Sequence, residues 1–117
     1  MSTSKELGNN EFKNKNYTKA IEHYTQAISE NPSDHTIYSN RSASFHNLKN
    51  FDKALEDANK CVQINADWGK GYQRKGMALH GMKKYQEAME AYGQGVERDP
   101  NNAQIKAGLQ QVITEKR

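Results

Sequence analysis

Apolar positions recur along the chain in three copies of one stripe. Tyr17, Ala20, Ile21, Tyr24, Ala27 and Ile28 form the first, and Phe51, Ala54, Leu55, Ala58, Cys61 and Val62 the second. Tyr85, Ala88, Met89, Tyr92, Gly95 and Val96 form the third. The spacing is i, i+3, i+4, i+7, i+10, i+11, one face of an α-helix. Seventeen of these eighteen positions are apolar and the other is Gly, in a chain that is 34% hydrophobic. The stripes are 34 residues apart, and so are Gly8, Ser42 and Gly76. A fixed period of this length predicts stacked helical repeats.

The first half of each unit reads as a second, more polar helix. Its packing positions are Leu7 and Gly8, then Tyr38, Ser42 and Phe45, then Tyr72, Gly76 and Leu79, with a small residue each time for close helix approach. Pro32 and Pro100 follow the ends of second helices, and Ser33 or Asp34 can cap the next one. Asn16 and Asn50 are expected to take the left-handed position after a first helix, where Lys84 is less apt. Residues 102–116 carry Ile105, Leu109, Val112 and Ile113, an amphipathic seventh helix able to cover the open end of the stack. The expected organisation is one all-α domain over residues 1–117, with units at about 1–34, 35–68 and 69–101 and the capping helix at about 102–116.

Composition changes one part of this picture. Leu, Ile, Val and Phe number only 17 of 117 residues, below the roughly 20% that raises suspicion of disorder. Net charge is only +3, so disorder is a poor reading, and the core must rest on Ala, Gly and Tyr at close helix contacts. No apolar run approaches a membrane span. Met1–Glu6 lacks the apolar core of a secretory signal, and Cys61 is the only cysteine. A reducing, cytoplasmic setting is expected. A stop at Arg117, just after the capping helix, suits an excised domain.

First helices of stacked units line a concave side. The positions left free there include Lys5, Asn9 and Phe12, then Ser39, Asn40, Ala43 and His46, then Lys70, Gln73, Arg74, Met77 and His80. Lys5 and Asn9 are one turn apart, as are Lys70 and Arg74. Three cations and two carboxamides thus converge. Lys and Arg give charge-assisted hydrogen bonds to carboxylates, and Asn adds neutral donors. Five such groups suit two carboxylates held close together, which a chain ending in Asp or Glu supplies within one residue. The expected chemistry is capture of an acidic C-terminus.

The 34-residue unit, with Gly8, Tyr17, Ala20, Tyr24, Ala27 and Pro32 in place, resembles the tetratricopeptide repeat family across nearly the whole chain. The resemblance implies three repeats of six antiparallel helices plus a C-terminal capping helix, wound as a right-handed superhelical solenoid. Local departures are Gly95 in place of Ala, and Arg41 and Lys75 in place of Leu. Lys5, Asn9, Asn40, Lys70 and Arg74 are similar in position to the two-carboxylate clamp of the family's chaperone-binding domains. So are the surrounding words Tyr38-Ser39-Asn40-Arg41-Ser42 and Trp68-Gly69-Lys70-Gly71-Tyr72-Gln73-Arg74. That implies a co-chaperone adaptor gripping the C-terminal Glu-Glu-Val-Asp peptide of heat shock protein 70, or alternatively of heat shock protein 90, the other reading being a module of another chaperone cofactor with a different tail preference. Phe12, Ala43, His46 and Met77, with His80, are then expected to meet the residues upstream of the terminal Asp and to carry specificity between chaperones.

Other readings fare worse. His23, His35, His46 and His80 have no paired metal spacing, no nucleophile has a base at a recognisable spacing, and Gly69-Lys70-Gly71 lacks the spacing of a phosphate loop. No metal, cofactor or catalytic residue is expected. RNA binding is permitted by a pI near 8.9, but the cations cluster at one pocket and stacking aromatics are few on the inner face. A self-assembling repeat is opposed by the polar seventh helix, so a monomer is expected.

Overall fold

A computed structural model describes residues 2–116; Met1 and Arg117, the two ends of the expected unit, lie outside the described residues. The described residues form seven helices and no strand: α1 Ser4–Lys13, α2 Tyr17–Glu30, α3 His35–Asn47, α4 Phe51–Ile64, α5 Gly69–Gly81, α6 Tyr85–Arg98 and α7 Ala103–Lys116. Each helix packs on the next, and α3 packs also on α1 and α5, which in turn meets α7. The stack measures 48 × 26 × 21 Å.

Helix starts follow local chemistry. Thr3 and Glu6 form a reciprocal capping box on α1. The Asp34 side chain accepts from Thr36 N at the start of α3. The turns inside each unit depart from expectation. The left-handed residues are Lys15, Lys49 and Lys83, with φ of 64°, 63° and 62°, not Asn16 and Asn50. Asn16 N donates to Glu11 O at 2.8 Å and Lys15 N to Phe12 O at 3.0 Å, and both other units repeat the pair of bonds. This is the Schellman closure, which puts the left-handed residue second after the last helical one. Asn16, Asn50 and Lys84 are already the N-caps of α2, α4 and α6.

The core uses small residues opposite rings. A Cβ on Gly8 would lie 2.7 Å from the Tyr24 ring, and one on Gly76 would lie 2.7 Å from the Tyr92 ring. The middle unit has Ala58 at the register of Tyr24 and Tyr92, and the position matching Gly8 is Ser42, whose Oγ donates to Ala54 O at 2.7 Å. Arg41 is explained by a partner. Its Nε and NH2 donate to the two carboxylate oxygens of Asp57, each at 2.8 Å, and its guanidinium lies over Tyr38 and Phe45. Burial pushes the Asp57 carboxyl up, with the Arg41 guanidinium working against that shift.

Candidate functional site

Because α3 touches both α1 and α5, the free faces of these three helices share one wall. Asn40 of α3 is joined to Asn9 of α1: its Nδ2 donates to Asn9 Oδ1 at 3.1 Å. The hydroxyl of the fully buried Tyr24 donates to the same oxygen at 2.6 Å. Burial pushes that hydroxyl up to about 12, so it keeps its proton. With Oδ1 taken by two donors, Asn9 holds its NH2 outward, and among the described residues that NH2 has no protein partner.

On α5, Arg74 Nε donates to Ser39 Oγ at 3.2 Å, tying α5 to α3 beside Asn40. Its NH1 approaches Met77 Sδ at 3.6 Å. Lys70 lies one helical turn away. Among the described residues neither Lys70 nor Arg74 forms an ion pair. Burial pushes the Arg74 guanidinium down; burial first, and Arg74 second, push the Lys70 ammonium down. Two neighbouring cations partly withdrawn from water, with no counter-charge, are an unfavourable arrangement that an incoming anion relieves.

The fifth residue differs. Lys5 Nζ donates to Asp34 Oδ2 at 2.9 Å. Burial pushes the Asp34 carboxyl up, but hydrogen bonds from Thr36 and Lys5 outweigh it and leave it below the usual carboxylate range. The structure therefore joins Asn9 to Asn40 and Tyr24, ties Arg74 to Ser39, the neighbour of Asn40 in α3, sets Lys70 beside Arg74, and turns Lys5 toward an internal carboxylate.

Farther along the wall, Phe12, His46 and His80 each pack against the first aromatic of the following helix. Ring centroids lie 5.6 Å from Tyr17, 5.4 Å from Phe51 and 6.0 Å from Tyr85. Ala43 is only 2% exposed and offers little surface. His46, Met77 and His80 line a cavity of about 380 Å³ together with Tyr92 and with Gln111 and Glu115 of α7. Glu115 Oε1 and His80 Nε2 lie 2.9 Å apart. Among the described residues no His, Cys, Asp or Glu cluster is placed to hold a metal ion, and no helix is long and apolar enough to cross a membrane.

Sequence reasoning missed four contributors. Tyr24 was legible only as core and Asp34 only as a helix cap. Ser39 was on the right face without a role, and α7 read as a lid for the stack, not as a wall of a cavity. The word Tyr38-Ser39-Asn40 was the one signal available for Ser39.

Models of the tetratricopeptide repeat match residues 4–34, 35–67 and 69–102. The chain belongs to the tetratricopeptide repeat family. Among its relatives, Hsp70-Hsp90 organizing protein 1 of Arabidopsis thaliana is 52% identical over 109 residues, covering 93% of this chain and 19% of that protein. The chain spans about a fifth of the length of most of the curated relatives it matches. Among solved structures, the first tetratricopeptide domain of Spaghetti (RPAP3), bound to the HSP90 peptide SRMEEVD, superposes with TM-score 0.90 at 32% identity, covering 97% of this chain and 90% of that one. The TPR2B domain of yeast Sti1, in a complex with pHsp70, superposes with TM-score 0.89 at 26% identity, covering 97% and 95%.

Proposed function

We propose that this tetratricopeptide domain is a co-chaperone adaptor module that binds the acidic C-terminal tail of heat shock protein 70, of the Glu-Glu-Val-Asp type. Lys70, Arg74, Asn9 and Asn40, with Lys5, receive its carboxylates. The observation that carries the reading is the pairing of Lys70 with Arg74 on a half-buried wall without a counter-charge among the described residues. A peptide tip bearing an α-carboxylate and a side-chain carboxylate supplies that charge. The outward NH2 of Asn9 adds a neutral donor beside it. The relatives' names and the peptide in the Spaghetti complex support the same ligand class. Heat shock protein 90 is the alternative source of such a tail. Phe12, His46 and Met77, with His80, meet residues upstream of the tip, a role supported by the cavity that His46, Met77 and His80 line. The module acts as a monomer of residues 1–117, in the cytoplasm.

Titration calorimetry with a peptide ending in Glu-Glu-Val-Asp, as free acid and as C-terminal amide, tests this. The free acid is expected to bind and the amide to lose most of its affinity. Equal affinities would sink the proposal. The same titration with tails of the two chaperones decides between them.

A further inference from the structure

Asp34 divides its carboxylate between two tasks. Its Oδ1 accepts from Thr36 N at 3.0 Å and from Thr36 Oγ1 at 2.6 Å, which starts α3. Its Oδ2 accepts from Lys5 Nζ at 2.9 Å and, among the described residues, from nothing else. A helix start needs only the first oxygen, and Asn or Ser would serve there as well. The second oxygen is charged and is aimed at a wall lysine 29 residues away in the chain. Asp34 is the more enclosed partner, with 18% of its side chain exposed against 38% for Lys5. The wall is therefore uneven. At the α5 side two cations have no ion-pair partner among the described residues, whereas at the α1 side the cation is already paired with a carboxylate.

We infer that Asp34 is a specificity-determining residue: an internal carboxylate that occupies Lys5 while the groove is empty and competes with the ligand for it. The inference rests on the reading that the groove takes an acidic chain end. The ammonium has further N–H groups to offer, but a ligand carboxylate must share the Lys5 charge with Asp34, and it meets the Asp34 charge as it arrives. Affinity is thereby held down, and the grip on the ligand is shifted toward Lys70 and Arg74.

The test is titration calorimetry of wild type, Asp34→Asn, Lys5→Met and the double variant, with the free-acid peptide ending in Glu-Glu-Val-Asp. Asn keeps the cap and removes the charge, so binding is expected to tighten about fivefold. Lys5→Met is expected to weaken binding more in the Asp34→Asn background than in wild type. Unchanged or weaker binding by Asp34→Asn overturns the inference. So does an equal effect of Lys5→Met in both backgrounds, because Asp34 would then act only through space. Asp34→Ser is a second capping variant, too short to reach Lys5, and should tighten binding likewise. Wild type that binds acid and amide alike overturns the underlying reading instead, so the two failures are distinguishable.

Discussion

The Tyr24 hydroxyl, buried between α1 and α2, donates to Asn9 Oδ1 at 2.6 Å and sets the outward face of that amide. A residue of the packing stripe thus orients a residue of the proposed binding wall. Tyr24→Phe keeps the ring against Gly8 and removes only this bond. Losing one hydrogen bond should lower stability by about 1 kcal/mol and weaken the acidic peptide about threefold to tenfold. Urea unfolding and calorimetry on the one variant check both effects. Unaltered peptide affinity would show that Asn9 needs no such support.

Gly8 and Gly93 should respond oppositely to alanine. A Cβ at Gly8 meets the Tyr24 ring at 2.7 Å, whereas one at Gly93 meets nothing within 4 Å. Overpacking at Gly8 is expected to cost about 1–3 kcal/mol. Gly93→Ala should gain about 0.5–1 kcal/mol from helix propensity. Thermal denaturation of the two variants checks the pair.

Lys49 holds a left-handed backbone at φ 63°. That conformation costs an L-residue about 1–2 kcal/mol, and glycine there forfeits about 0.5–1 kcal/mol of chain entropy. Lys49→Gly should therefore stabilise by roughly 0.5–1 kcal/mol, the difference of those two effects. A shift of the urea midpoint to lower concentration would contradict this.

Arg41 and Asp57 stand or fall together. Arg41→Leu restores the residue usual in the family but strands a buried carboxylate, at an expected cost of about 3 kcal/mol. Arg41→Leu combined with Asp57→Ala should recover most of it. Chemical unfolding of wild type, both single variants and the double measures the coupling, and additive effects would refute it.

Burial first, and the charges of Arg74 and His80 second, hold His46 below its ordinary 6.5. The unfolded chain then binds a proton more readily than the folded one, so this contribution favours folding at higher pH. It is complete above about pH 6.5 and is lost as pH falls through that value toward the folded one. His46→Gln should flatten the change in the urea midpoint between about pH 7.5 and pH 5.5. A slope equal to that of wild type would rule His46 out as its source.

By itself the sequence determined the repeat, the helix faces and which candidate residues share a side. The 34-residue period and the 3.6-residue turn assign Lys5, Asn9, Asn40, Lys70 and Arg74 to one side without any coordinates. Gly95 and Ala58 were legible as small positions for the same reason. Only the tertiary structure decided how those side chains are used. Lys5 turns to Asp34 across 29 residues and Arg74 to Ser39 across 35, and Arg41 finds Asp57 across 16. Periodicity says which face a residue occupies. Which neighbour a side chain reaches depends on the distance and angle between packed helices, and a one-dimensional pattern does not carry these. The left-handed lysines make the same point locally. Asn is the better left-handed former, but helix closure selects a position in the turn, and Lys15, Lys49 and Lys83 occupy it.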